Sequence, residues 1–252
     1  MRLPPRWPRL WLSLVLLISA SAWGAPAQVG AQAVPAGFTD TLLVDNIGGP
    51  TALAFTPDNR LLVTTQSGLL RVYSLAGASL GTALTFPGSQ ICSNFERGLL
   101  GIALDPNFAA NNYIYLYYTF RNGAGACSGS QQPVNRVARF QMSGNTVLTA
   151  TQTVLVDNIP SLNGNHNGGD LNFGKDGYLY ISVGDSGTGG SLARQRNNLA
   201  GKILRVNAAG TPVSGNPWFG EAGARRCGDP AGSSGTGNCQ EIFAYGLRNP
   251  FR

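Results

Sequence analysis

Apolar and polar positions along this chain fall into short runs separated by turn residues, the spacing of strands rather than of long amphipathic helices. Leu42–Ile47 (LLVDNI), Thr51–Thr56 (TALAFT), Leu61–Gln66 (LLVTTQ) and Leu69–Ser74 (LLRVYS) predict four strands. Pro57-Asp58-Asn59 and Ser67-Gly68 supply turns between them. Leu100–Leu104, a turn at Asp105-Pro106-Asn107 and Tyr113–Phe120 (YIYLYYTF) follow. Ile, Leu and Tyr alternate in that last run, which suits a strand covered on both faces. Val134–Gln141 (VNRVARFQ) alternates apolar with polar residues, the half-buried pattern. Asp170–Phe173 leads through Lys175-Asp176-Gly177, a hairpin signal, into Tyr178–Val183. Lys202–Asn207 and Ile242–Tyr245 close the series.

The pattern repeats. Leu43-Val44-Asp45-Asn46-Ile47 returns as Leu155-Val156-Asp157-Asn158-Ile159. Phe55–Val63, Leu104–Leu116 and Phe173–Ile181 share one order: strand, Asp-bearing turn, strand. Four-stranded units recurring at roughly 40–50 residues are the signature of β-propeller blades. The fold class read here is therefore all-β, with a β-sandwich as the alternative. Composition supports a turn-rich β protein. There are 34 Gly and 15 Pro with no G-X-Y period, and only 12% charged residues against the usual quarter.

Residues 1–33 read as a secretory signal. Arg2, Arg6 and Arg9 precede the apolar run Leu10–Ala20, too short to span a bilayer, and Ala31-Gln32-Ala33 fits a cleavage site. The remaining residues, 34–252, would be periplasmic or extracellular, with no stable membrane span. The net charge of +6 overstates basicity, because removing those three arginines leaves +3 with the rest scattered. That excludes the concentrated basic face of a nucleic-acid binder. Four cysteines suit an oxidising compartment. Of three possible pairings, Cys92–Cys127 and Cys227–Cys239 each close a local loop. A zinc site is the alternative, although no CxxC is present and His166 is the only histidine.

The densest chemistry lies in Asn163–Gly187 (NGNHNGGDLNFGKDGYLYISVGDSG). His166 sits there in a glycine-flanked polar loop before a strand, where an imidazole can take up a proton near neutral pH. Arg248-Asn249-Pro250 offers a rigid fork of donors beside an amide. In Glu96-Arg97-Gly98-Leu99-Leu100-Gly101, Gly98 and Gly101 allow close backbone approach, and Glu96 can accept from hydroxyls or pair with Arg97. Asp185 reads as a turn former rather than a calcium ligand. No nucleophile elbow, Walker loop or Rossmann fingerprint occurs.

Taken in order, ERGLLGIALDPNFAANNYIYLYYT, NHNGGDLNFGKDGYLYISVGDSG, NNLAGKILRVN and GLRNPFR closely resemble the soluble PQQ-dependent sugar dehydrogenases, the glucose/sorbosone dehydrogenase family. The resemblance runs from about Leu42 to Arg252. It implies a six-bladed β-propeller that carries pyrroloquinoline quinone (PQQ) and calcium, oxidises an aldose at C1 and passes electrons to an external acceptor. His166 matches the family's general base. Arg248 matches the residue that polarises the quinone carbonyl, and Asn249 a cofactor ligand. Glu96 stands where a glutamine near the sugar is common. Asn165 replaces an aspartate found before the histidine in well-studied glucose enzymes, which takes away a carboxylate able to orient the ring. The family's calcium ligands and later basic cofactor contacts lie beyond the Arg-Asn motif. On that basis residues 34–252 are the N-terminal part of such a propeller, truncated after about four blades and inactive alone. The rival is a secreted, non-catalytic propeller that binds carbohydrate or protein.

Overall fold

The computed structural model describes residues 34–123, 127 and 132–251; the signal-like segment at residues 1–33 lies outside them. Residues 34–41 belong to a small separate unit, in which Phe38 donates its N–H to the Pro35 carbonyl at 3.0 Å. The sheets belong to the unit that begins at Leu42.

That unit holds three four-stranded antiparallel sheets, each in sequence order. The first is β1 (Pro50–Phe55), β2 (Arg60–Thr65), β3 (Leu69–Ser74) and β4 (Ser79–Thr85). In the second, β5 (Leu99–Leu104) is followed by a one-turn helix α1 (Phe108–Asn111), β6 (Tyr113–Phe120), β7 (Val134–Ser143) and β8 (Thr146–Pro160). The third is β9 (Leu171–Phe173), β10 (Leu179–Val183), β11 (Lys202–Val206) and β12 (Ile242–Tyr245). The three recurring strand–turn–strand units open the sheets: Phe55 pairs with Leu61, Leu104 with Ile114, and Phe173 with Leu179.

Three sheets, rather than about four, are present among the described residues. Long connections such as residues 184–201 and 207–241 take up the chain that a count of about 45 residues per unit assigned to strands. Two strand assignments also change. Leu42–Ile47 forms no strand, and β4 completes the first sheet instead. The second LVDNI copy does lie in a strand, within β8. Its Asn158 and the first copy's Asn46 share a left-handed φ, 56° and 51°, a conformation asparagine tolerates.

The alternation in β6 explains how the sheets stack. Ile114, Leu116 and Tyr118 point into a core shared with Leu62, Leu70 and Val72 of the first sheet. Tyr115 and Tyr117 point the other way, into a core with Leu179, Ile181 and Leu204 of the third. Successive side chains of a strand face opposite sides, so one run serves two interfaces. Buried tyrosines need partners for their hydroxyls. Tyr115 donates to Asp105 Oδ2 at 2.8 Å, and Tyr117 to the Asn167 carbonyl at 2.7 Å.

Both disulfides are those expected. Cys92–Cys127 and Cys227–Cys239 have Cα separations of 5.6 and 5.2 Å, which removes the zinc alternative for these sulfurs.

Candidate functional site

In an antiparallel sheet, the start of β9, the end of β10, the start of β11 and the end of β12 all lie at one end. The loops joined there carry His166, Asp185 and Arg248-Asn249. Close backbone approach makes the convergence possible. A Cβ on Gly184 would lie 2.0 Å from the His166 carbonyl oxygen and 2.6 Å from Asn249 Oδ1. One on Gly101 would lie 1.9 Å from the Gly169 oxygen, and one on Gly98 would lie 2.3 Å from the Gln66 oxygen. The approach expected of Gly98 and Gly101 is thus present.

His166 has a left-handed φ of 57°, uncommon for a residue with a side chain. Its ring Nδ1 lies 2.6 Å from Asp185 Oδ1. Asp185 is 1% exposed; its two oxygens also accept the N–H groups of Gly187 at 3.0 Å and Gly190 at 2.9 Å. A buried carboxylate with these donors is satisfied as an anion. With Nδ1 donating to it, the lone pair of the imidazole falls on Nε2, which has no partner among the described residues. The carboxylate at the ring is thus Asp185, a residue that reads from sequence as a turn former.

The loop bearing His166 is held from below. Asn167, 2% exposed, accepts from Asn135 Nδ2 at 3.0 Å and Ser161 Oγ at 2.7 Å, and donates to the Gly164 carbonyl at 2.7 Å. Arg97, also 2% exposed, donates to the Ser161, Leu162 and Cys127 carbonyls at 2.5, 3.2 and 2.9 Å. Burial lowers its pKa. Arg97 therefore serves carbonyl groups rather than Glu96. Glu96 is exposed, and its Oε2 accepts the His166 backbone N–H at 2.6 Å.

Asp185 also meets the second motif, because its N–H donates to the Arg248 carbonyl at 2.7 Å. Asn249 Oδ1 accepts from Gly168 N–H at 3.0 Å, which leaves its amide Nδ2 free to donate. The Arg248 side chain is exposed and unpaired among the described residues. It lines a cleft of about 450 Å³ with Arg194, Gly189, Gly190, Ala193 and Leu247. Below that wall lies Lys202, 0% exposed, whose ammonium donates to the Leu192, Ala193 and Ala200 carbonyls at 3.2, 2.9 and 2.5 Å. Burial pushes its pKa down to about 8. No sequence feature singled it out.

The family model for Glucose / Sorbosone dehydrogenase matches residues 47–251. The chain belongs to that family. It is 31% identical over 238 residues to the aldose sugar dehydrogenase YliI of Escherichia coli (strain K12), covering 94% of this chain and 56% of that protein. Against quinoprotein glucose dehydrogenase B of Acinetobacter calcoaceticus it is 28% identical over 265 residues, covering 95% and 51%. Among solved structures, the PQQ-bound aldose sugar dehydrogenase of Streptomyces coelicolor superposes with a TM-score of 0.61 at 29% identity, over 82% of this chain and 53% of that one. The chain thus spans about half the length of the relatives it matches. No helix among the described residues is long and apolar enough to cross a membrane.

Metal ligation finds less support. Among the described residues, the one group of three potential ligands is Cys227, Cys239 and Glu241, and both sulfurs are in a disulfide. Glu241 Oε1 and Oε2 instead accept the Gly228 and Cys227 N–H groups at 2.7 and 3.1 Å. These residues do not make a calcium centre.

Proposed function

We propose that the protein is part of an exported, six-bladed quinoprotein that oxidises an aldose at C1. The observation that carries this reading is the placement of His166 and Arg248 on one residue, Asp185, which bonds the ring of the first and the carbonyl of the second.

The cleft fits PQQ in its chemistry. PQQ is flat and anionic, and the cleft offers two unpaired guanidinium groups, Arg194 and Arg248, among glycine, alanine and leucine, with the Asp185 carboxylate at its wall engaged by His166 and two backbone N–H groups. When bound, PQQ supplies the quinone that accepts the hydride. His166 takes the proton of the C1 hydroxyl at Nε2, and Asp185 stabilises the imidazolium that forms. With PQQ bound, the Arg248 guanidinium would offer fixed positive charge to the negative charge that develops on the quinone. Asn249 has one free amide donor for the cofactor, and Glu96 has one free carboxylate oxygen for a sugar hydroxyl. The relatives named as an aldose sugar dehydrogenase and as a PQQ-bound aldose sugar dehydrogenase support the reading of a PQQ-dependent aldose oxidation.

The test is reduction of a dye acceptor by the full-length protein with PQQ and an aldose, beside calorimetric titration with PQQ. Expected are activity in the native protein, its loss in His166→Ala with PQQ binding kept, and weaker PQQ binding in Arg248→Ala. PQQ failing to bind the native protein would sink the proposal in favour of a binding propeller.

A further inference from the structure

Phe95 is a bulky residue where the backbone calls for glycine. It occupies the first central position of a turn closed by Arg97 N–H donating to the Asn94 carbonyl at 3.1 Å, and its φ is 56°. Turns with positive φ at that position favour Gly, Asn or Asp, and for an aromatic residue this geometry is an outlier. Packing does not compensate, because Phe95 is 71% exposed. Strain of this kind persists where the surroundings impose it, and it clusters at ligand sites.

The surroundings do impose it. Gln66 Nε2 donates to the Phe95 carbonyl at 2.5 Å, and Glu96 N–H donates to the Gly164 carbonyl at 3.2 Å. Gly164 clears space for the ring: a Cβ there would lie 2.8 Å from Phe95 Cδ2. The ring is thereby propped over the loop two residues before His166. Beside it, Glu96 reaches the His166 backbone, and Asn163 and Asn165 are exposed. A flat apolar face rimmed by a carboxylate and amides complements a pyranose, which has C–H groups on its faces and hydroxyls around its edge.

On the reading that this site takes an aldose, we propose that Phe95 is the platform on which the sugar's pyranose ring stacks, a specificity-determining residue for the reaction. Saturation-transfer NMR on the PQQ-loaded protein tests this with methyl β-D-glucopyranoside, which cannot be oxidised at C1, and glycerol as a polyol without a ring. In parallel, kcat and KM are measured for D-glucose, and thermal melts are run on each variant. In the native protein, saturation passes from aromatic protons to the glucoside and not to glycerol. Phe95→Gly weakens that transfer and raises KM about 3- to 10-fold with kcat little changed. Its Tm holds or rises, because glycine relieves the turn. Phe95→Trp retains binding. A structural role predicts the reverse, a fall in Tm with sugar affinity intact, and that result overturns the proposal. Unchanged KM in Phe95→Gly within an active enzyme sinks the platform alone. A native protein that oxidises no aldose sinks the aldose reading with it.

Discussion

Asp185 lies almost wholly buried beneath His166, its Oδ1 2.6 Å from the ring Nδ1. Both residues belong to short polar segments at the same end of the β9–β10 hairpin, one just before β9 and one just after β10. Their backbones are joined as well, since Ser186 N–H donates to the His166 carbonyl at 3.2 Å. The imidazole is thus held in one tautomer and one direction before any ligand arrives, the preorganisation that general-base chemistry requires.

Asp185→Asn should keep the loop in place and remove the charge. An amide can still meet Nδ1, yet it cannot stabilise the imidazolium, and it can donate to the ring and force the other tautomer. A kcat lower by about 10²- to 10⁴-fold is expected, with PQQ binding and secondary structure preserved. Steady-state kinetics with a dye acceptor, read beside circular dichroism, check this. Full activity in the variant would leave Asp185 only a structural part.

Gly184→Ala should be severe although it adds one methyl group. Its Cβ would meet the His166 carbonyl oxygen at 2.0 Å and Asn249 Oδ1 at 2.6 Å, so two site loops must separate. Overpacking of this kind costs about 1–3 kcal/mol. Chemical denaturation should show that loss, and activity should fall further than stability because the base and the Arg248-Asn249 segment move apart. Gly177→Ala, in the β9–β10 turn away from the cleft, is the control: nothing lies within 4 Å of its added Cβ, although its φ of 78° makes it mildly unfavourable.

Much of this architecture could be read from the residues. The runs that became β3, β6, β7 and β12 carry a period of two or a dense apolar stretch, and hydrophobic burial enforces it. β4 escaped because Ser79–Thr85 is mostly exposed and contains Gly81. The first half of β8 is Thr-rich and solvated, so it shows no alternation. LVDNI occurs twice and forms a strand only in its second copy, not in the first, where one was expected, because pairing partners decide the matter as much as propensity does. His166 and Arg248-Asn249 stood out as motifs. Asp185 did not, since its partner lies 19 residues away. A signal existed nonetheless: in a hairpin, a polar residue just past the second strand must meet the segment entering the first. Lys202 and the partners of Arg97 were illegible because each of these two side chains binds chiefly backbone carbonyls, which carry no sequence signature.

Removing the Cys227–Cys239 bridge by a double serine substitution should destabilise the fold by about 2–4 kcal/mol, the usual effect of releasing a short native loop. The bridge joins residues 12 apart and flanks the Glu241 carboxylate, which holds the Cys227 and Gly228 N–H groups. Glu241→Ala should add to the loss by leaving two buried donors unpaired. Urea melts of the double-serine variant, of Glu241→Ala and of their combination would show coupling beyond additivity, because the residues share one turn. Strict additivity would mean that the disulfide and the carboxylate stabilise it independently.

Lys202 and the buried tyrosines set opposite slopes on stability at alkaline pH. The ammonium of Lys202 titrates near pH 8 in the folded protein, below its ordinary value of 10.5, because it is buried. Across that window the unfolded chain binds more protons than the folded one, so stability rises with pH, by about 1–3 kcal/mol. Burial raises the phenols of Tyr115, Tyr117 and Tyr118 above their ordinary value of 10.0. Above pH 10 the folded chain keeps those protons and the unfolded chain loses them, so stability falls. A maximum between pH 9 and 10 is expected in urea titrations of the native protein. Lys202→Met should be less stable near neutrality, because three carbonyls lose their donor, and its stability should no longer climb between pH 8 and 10. The decline above pH 10 should survive in that variant, since the tyrosines of β6 are untouched. A climb that persists without the lysine would assign it to another group.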